Sequence, residues 1–147
     1  MTARTFVDSN ILIYAHDLDA GMRQQRAADY LDRLWLDNTG RLSTQVLQEF
    51  YVNVTQKIRS PLSKPTAREV VQDYESWVQS YITTSTVVRA SEISEIWQIS
   101  FWDGLILAAA DEAGASELLS EDMNHGQLVA GIRIVNPFVP TDHRSAN

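Results

Sequence analysis

The segment RTFVDSNILIY, residues 4–14, passes from a strand-like run to a helix-like run at an acidic residue. Residues 5–7 predict a short buried strand, and residues 11–15 predict the helix that follows it. Asp8 lies at the junction between them. Because ligands bind beyond the carboxyl ends of the strands in open α/β sheets, Asp8 stands where a functional residue is expected.

The rest of the chain alternates short strand-like runs with helix-like runs, which is typical of an α/β fold. Residues 45–58 form the clearest amphipathic helix, and Thr66 with Glu69 fits a capping box that opens a helix to about residue 78. The remaining predicted elements are helices over 21–37, 88–99 and 101–113, strands over 41–43, 116–119 and 133–135, and a weak edge strand over 80–85. We therefore predict one α/β sandwich around a mostly parallel sheet over residues 1–140, with a flexible tail at 141–147.

Four acidic residues stand at a strand end or near a helix start, each beside apolar sequence. They are Asp8, Glu49, Asp103 and Asp122. All four can point at one edge of the sheet. Because carboxylates in an apolar setting are costly without a positive partner, their convergence predicts a divalent cation site. Mg²⁺ and Mn²⁺ prefer such oxygen ligands, and a cation held there can bind a phosphodiester and activate a water molecule.

Each acid also has a purely structural interpretation. Asp8 and Asp103 could cap helices, the latter within a capping-box sequence that starts at Ser100. Glu49 could be a flank residue of its helix, and Asp122 could belong to a turn. The metal-site prediction therefore depends on the joint pattern and on no single acid.

Polar residues close to the acids could support the site. Asn10 and Asn124 are short amide side chains beside Asp8 and Asp122, suited to hydrogen bonds that orient a metal ligand. Ser43, Thr44 and Ser120 could hold phosphate or water. Turn-forming roles are equally compatible with all five side chains.

The composition limits the kind of protein. The chain has 147 residues, 44% of them hydrophobic, which suits one domain with a buried core. It has no cysteine, so disulfides and thiolate metal sites are excluded. The longest apolar run, residues 105–110, is far shorter than the roughly 20 residues of a membrane span. With no signal-peptide pattern at the N-terminus, we expect a cytoplasmic protein without a membrane partner.

The formal net charge of −7 disfavours broad, tight nucleic-acid binding as the main role. It is compatible with a metal-dependent nuclease, because the cation offsets the carboxylates that hold it. Basic side chains could form a local patch for RNA or remain solvated charges on helix faces. They are Arg23, Arg26, Lys57, Arg59, Lys64 and Arg68.

The acidic segments together resemble the PIN domain family, and more narrowly the VapC-type toxins of bacterial toxin–antitoxin pairs. FVDSNILIYAHD is similar to the family's opening strand and first acid, and STQVLQEFYVNV to the segment with the second. The family's helix with the third acid is similar to ISFWDGLILAAADEAG. Its closing strands and fourth acid are similar to LLSEDMNHGQ together with IRIVNPF. The resemblance covers nearly the whole chain and implies a PIN-like three-layer sandwich. Asn124 stands where some relatives have another acid, which leaves the number of metal ions open.

The resemblance also implies an activity: the protein would be a toxin that acts as a metal-dependent endoribonuclease. Such an enzyme hydrolyses RNA and leaves 5′-phosphate and 3′-hydroxyl ends. Asp8 and Asp103 would hold Mg²⁺, or Mn²⁺, directly, and Glu49 and Asp122 would do so directly or through water.

Two kinds of partner are implied as well. Family members are usually homodimers, and a small antitoxin silences them by lying in an apolar groove. Five apolar or aromatic side chains could line such a groove or belong to the core. They are Ile11, Leu12, Tyr14, Trp35 and Tyr51.

Three other functions stay open at this point. A PIN-like fold could be a non-catalytic RNA- or protein-binding module, although all four acids are present. Metal-free RNA cleavage could use His16, His125 or His143, and sensitivity to EDTA would separate it from metal-dependent hydrolysis. An aspartyl phosphatase would need a second Asp and a phosphate-binding Lys, which the sequence does not place.

Overall fold

A five-stranded sheet lies at the centre of the computed structural model, which describes residues 3–140. The strands are β1 (Arg4–Val7), β2 (Gly40–Arg41), β3 (Ala115–Leu119), β4 (Leu128–Val129) and β5 (Ile132–Val135). Their order is β2-β1-β3-β5-β4, and only the β4–β5 pair of this sheet is antiparallel. The predicted α/β architecture with a mostly parallel sheet is therefore confirmed.

Helices flank this sheet. They are α1 (Ser9–Ala15), α2 (Met22–Asp37), α3 (Thr44–Gln56), α4 (Lys64–Asp73), α5 (Thr84–Trp97) and α6 (Phe101–Glu112), with a 3₁₀ turn at Tyr74–Trp77. Side-chain caps fix several helix starts: Ser43 opens α3 and Ser100 opens α6, each accepting a hydrogen bond from a backbone N–H of the first turn. Asn38 ends α2 in the left-handed region at φ 55°.

The core forms where the strand residues pack against the helices. Phe6, Leu118 and Ile134 are aligned across β1, β3 and β5, and none is more than 1% exposed. Burial of these side chains favours the fold because apolar surface leaves water. The register also aligns the residues that follow the strands, since the Asp8 N–H donates to the Leu119 carbonyl and the Ser120 N–H to the Val135 carbonyl, both at 3.0 Å. The carboxyl ends of β1, β3 and β5 therefore meet at one edge.

Two local predictions are wrong. The helix after the 59–66 break starts at Lys64, because Ser63 is its cap and accepts a hydrogen bond from the Thr66 N–H at 3.2 Å. Thr66 thus lies inside the first turn, after a proline at a position that favours helix starts. The expected edge strand over 80–85 is absent from the described structure, since residues 78–83 are irregular and α5 starts at Thr84 behind a capping box.

The two-residue strand β4 was missed, because so short a run carries no periodicity. The predicted tail at 141–147 lies outside the described residues. Among residues 3–140, no helix is both long and apolar enough to cross a membrane.

Candidate functional site

The four acids come from four different parts of the fold. Asp8 follows β1, Glu49 is in α3, Asp103 is in the first turn of α6 and Asp122 follows β3. Repulsion from Asp122 and Asp103 contributes to a raised pKa at Asp8, and repulsion from the other three contributes at Glu49. The structure therefore brings all four carboxyl groups into one electrostatic neighbourhood, which we call the acidic cluster.

Asp8 is the most enclosed member of the acidic cluster, at 6% exposure. Its Oδ1 accepts a hydrogen bond from the Ser9 N–H at 2.7 Å, and its Oδ2 accepts one from the Ser120 hydroxyl at 2.8 Å. Both bonds lower the pKa of Asp8, but burial outweighs them and raises it to about 6. Because burial disfavours the ionised form of Asp8, a cation close to it would stabilise that form.

The other three acids are at more open positions than Asp8. Asp103 is half-buried, and burial raises its pKa, with a smaller contribution from the charge of Asp122. Glu49 and Asp122 are exposed. Partial desolvation raises the pKa of Glu49, followed by repulsion from Asp8. Asp8 is thus the enclosed member of the acidic cluster, and solvent can reach the other three.

Asn10 joins the two acids that follow neighbouring strands. Its side-chain Nδ2 donates to Asp122 Oδ2 at 3.0 Å and lies 3.4 Å from Asp8 Oδ2. Ser120 adds a second connection, because its Oγ also accepts a hydrogen bond from the Asp122 N–H at 3.2 Å. These contacts place Asn10 and Ser120 among the acids.

The cluster contains only oxygen donors, which is the ligand chemistry of Mg²⁺ and Mn²⁺. Within residues 3–140 no group of three or more Asp, Glu or His side chains is arranged so that it could hold a metal ion. Mg²⁺ usually keeps several waters and binds only one or two carboxylates directly. The donor set therefore fits a hydrated cation held by few direct ligands.

The capping interpretation and the cluster are compatible. Asp8 is the N-cap of α1, and its carboxylate still accepts the Ser120 hydroxyl from across the sheet. At α6 the cap is Ser100, whose Oγ accepts the Asp103 N–H at 3.0 Å. Helix capping alone does not account for the cross-sheet contacts of Asp8.

Other predicted supporting residues lie in local structure. Asn124 donates from its side chain to Gln127 at 3.2 Å, within the turn that leads to β4. Ser43 accepts the Val46 N–H as the cap of α3, and Thr44 is exposed on the same helix. No described hydrogen bond of these three side chains reaches the acidic cluster.

Sequence reasoning missed one group beside the cluster. The Glu121 carboxylate accepts hydrogen bonds from the Tyr14 hydroxyl and from Arg23 Nε, both at 2.9 Å. Glu121 directly precedes Asp122, so its proximity to the site was readable from the sequence. Nothing in the spacing paired it with Arg23 in α2.

An apolar groove of about 570 Å³ lies between α3 and α4. Leu47, Tyr51 and Val52 line one side, and Val71 with Arg68 the other. Of the residues predicted to line a groove or belong to the core, Tyr51 lines this groove, whereas Ile11 and Leu12 are fully buried in the core. Trp35 packs against Tyr74 and Trp77.

Known structures share this fold. A toxin–antitoxin complex from Klebsiella pneumoniae aligns with a TM-score of 0.65 at 20% identity, over 93% of this chain and 98% of that one. VapBC2 from Rickettsia felis, bound to a DNA fragment from its promoter, aligns at 0.59 and 19% identity, over 88% and 96% of the two chains. VapC20 from Mycobacterium tuberculosis, a toxin that cleaves the sarcin–ricin loop, aligns at 0.55 and 16% identity, over 80% and 89%.

No curated protein sequence matches the chain significantly. The family model for the PIN domain matches residues 5–129, which covers most of the chain and includes all four acids. The match extends from β1 to β4 and ends before β5. The chain therefore belongs to the PIN domain family.

Proposed function

We propose that this protein is a divalent-cation-dependent endoribonuclease of the VapC type, the toxin of a toxin–antitoxin pair. One observation carries the proposal most strongly: Asp8 is buried, has a pKa raised to about 6, and feels repulsion from other carboxyl groups at the carboxyl edge of the sheet. Ionising a buried carboxyl group beside other carboxyl groups is costly, and a bound cation would offset that cost. Membership of the PIN domain family supports the same activity.

The negative charge of the cluster makes a cation necessary for the proposed substrate. An RNA phosphodiester is itself an anion, so metal-free carboxylates would repel it. Asp8 and Asp103 are proposed as direct ligands of Mg²⁺, or Mn²⁺, with Glu49 and Asp122 binding directly or through water. When bound, the cation supplies an activated water and offsets the charge of the scissile phosphate.

The protein's own groups have separate roles in this proposal. Ser120 and Asn10 hold the Asp8 and Asp122 carboxylates in fixed orientations through the hydrogen bonds described above. Glu49, which is exposed at the rim, would orient the attacking water. Hydrolysis breaks the bond between phosphorus and the 3′ oxygen: the water oxygen stays on the 5′-phosphate, and a proton ends on the 3′-hydroxyl.

An antitoxin is the proposed protein partner. Three of the similar structures are toxins or toxin–antitoxin complexes, which supports this assignment. The groove between α3 and α4 could accept an apolar segment of the antitoxin, and Arg68 at its side would favour an acidic residue on that segment. Tyr51→Asp is then expected to weaken the complex; unchanged inhibition in that variant would place the antitoxin on another surface.

A homodimer and a cytoplasmic location are also proposed. Light scattering on the purified protein should give twice the mass of one chain, and a monomer mass would contradict the dimer. Cell fractionation should recover the protein with the cytoplasmic markers.

The experiment that tests the function uses antitoxin-free protein, a pooled RNA substrate and mapping of the product ends. Cleavage that needs Mg²⁺ and leaves 5′-phosphates is expected. Cleavage that survives EDTA, or that leaves cyclic phosphates, would contradict the proposal. Folded protein that binds Mn²⁺ but cleaves none of the pool would favour the alternative function, a non-catalytic RNA- or protein-binding module.

A further inference from the structure

Glu121 lies beside the acidic cluster, but both of its carboxylate oxygens accept hydrogen bonds from residues outside that cluster. Its Oε1 accepts the Tyr14 hydroxyl and its Oε2 accepts Arg23 Nε, each at 2.9 Å. The two donors come from α1 and α2, so the residue before Asp122 is tied to two helices.

The arginine is held in place by aromatic rings as well as by Glu121. Its guanidinium carbon lies 5.1 Å from the ring centroid of Phe138 and 5.8 Å from that of Tyr14. The two rings meet edge to face, with centroids 5.2 Å apart. We call Tyr14, Arg23, Glu121 and Phe138 the Glu121 group.

The Glu121 group connects to the acidic cluster through the backbone. The Glu121 N–H donates to Asn10 Oδ1 at 3.2 Å, while Asn10 Nδ2 donates to Asp122 Oδ2 at 3.0 Å. The amide of Asn10 is thereby fixed at both ends. A shift of the Glu121 backbone would therefore be passed through this amide to the Asp122 carboxylate.

From this chain of contacts we infer that Arg23 is a positioning residue for the proposed cation site, acting through Glu121 and Asn10 on Asp122. The inference depends on the proposed function, since it concerns the same site. The side chain of Arg23 is 51% exposed and that of Glu121 25% exposed. Ion pairs this open contribute little to folding stability, so their main effect is expected in the geometry of the loop they hold.

Arg23→Gln tests the inference, with Arg33→Gln as the matched control. Arg33 is in the same helix and its guanidinium also lies over an aromatic ring, Tyr30 at 4.5 Å, but it is not part of the Glu121 group. Mn²⁺ binding is measured by electron paramagnetic resonance, and the Mg²⁺ concentration for half-maximal RNA cleavage is measured in parallel. In Arg23→Gln the dissociation constant for Mn²⁺ and the Mg²⁺ concentration for half-maximal cleavage should each rise by up to about 10-fold. This is the lower end of the effect of residues that orient metal ligands. In Arg33→Gln neither should change.

Two further variants separate positioning from a general loss of stability. Tyr14→Phe deletes only the hydroxyl that Glu121 accepts, and should weaken Mn²⁺ binding in the same direction. Glu121→Gln combined with Arg23→Gln should be no worse than the more affected single variant, because the two residues act in one path. Thermal midpoints of all variants should stay close to that of Arg33→Gln.

The outcomes are distinguishable from failure of the proposed function. If the wild-type protein binds no Mn²⁺ and cleaves no RNA, the function itself is wrong. If the wild-type protein does both, and Arg23→Gln and Tyr14→Phe bind Mn²⁺ as Arg33→Gln does, only the positioning role is overturned. Additive losses in the double variant would likewise overturn it, since they would mean two independent effects.

Discussion

The hydroxyl of Ser120 lies 2.8 Å from Oδ2 of Asp8, in a buried contact that joins the residues directly following β3 and β1. This hydrogen bond opposes the effect of burial and lowers the pKa of Asp8. Ser120→Ala should therefore raise the pKa of Asp8 further and weaken cation binding by about 10-fold. The acid limb of the pH–rate profile should move to higher pH. An unchanged limb would mean that Asp8 does not control that ionisation.

Metal-free protein should lose stability as the pH rises from about 4 to about 7. The pKa of Asp8 is raised from 3.8 to about 6 in the folded state, so the native protein binds more protons than the unfolded chain in this range. Its stabilising contribution is complete below pH 3.8 and is lost through pH 6, a change of about 3 kcal/mol at 1.36 kcal/mol per pKa unit. Glu49 and Asp103 act with the same sign, since burial also raises each pKa.

Urea unfolding in EDTA at several pH values measures this effect. In Asp8→Asn the stability should depend less on pH than in the wild type. At pH 7.5 this variant should unfold at a higher urea concentration than the wild type. Addition of Mg²⁺ should stabilise the wild type more than this variant, because a ligand that binds only the folded state adds stability. A metal-free wild type that grows steadily more stable up to pH 7 would contradict the assigned shift.

Asp8→Asn and Asp103→Asn should each reduce RNA cleavage by more than about 100-fold, beyond the range of residues that only orient a metal ligand. Asp111→Asn is the matched control, because it makes the same change in α6 at a surface ion pair with Arg89. Circular dichroism should show all three folded. Retained cleavage in both site variants would remove the assignment, and a large drop in thermal midpoint would mean that the acids serve mainly as helix-start residues.

Gly104→Ala should destabilise the protein, although alanine usually favours a helix over glycine. A Cβ at this position would lie 2.5 Å from the Ala90 backbone oxygen, which cannot move independently of α5. We expect a cost of about 1–3 kcal/mol, typical of overpacking, and reduced cleavage because α6 carries Asp103. Calorimetry measures the cost, and an unchanged or higher thermal midpoint would show that the two helices separate easily.

The sequence predicted the architecture well because strands and helices differ in apolar spacing, as in β1 and α3. It also predicted which acids follow strands, since Asp8 comes directly after an apolar run and Asp122 comes shortly after another, behind Ser120 and Glu121. It failed where local signals compete. Thr66 and Glu69 have the spacing of a capping box, but Ser63 and the following proline start α4 earlier.

The geometry of the site was harder to predict than its location. Hydrogen bonds such as Asn10 to Asp122 join residues 112 positions apart, and no periodic pattern encodes such a pair. The partners of Glu121 were equally hard to predict, because its contacts with Tyr14 and Arg23 depend on how α1 and α2 pack beside the end of β3. Asn124 was predicted as a supporting residue from adjacency alone, and its side chain is directed to Gln127.

The pairing of β1 with β3 also sets an order of events during synthesis. Asp8 is made before Ser120, which lies 112 positions later in the chain. The central sheet cannot close before β3 has left the ribosome, and pairing of such distant segments is a slow, late step of folding. A nascent chain that lacks β3 therefore holds a first acid without its cross-sheet partners, and the complete set of carboxyl groups is assembled only after β3 and the residues that follow it have been made.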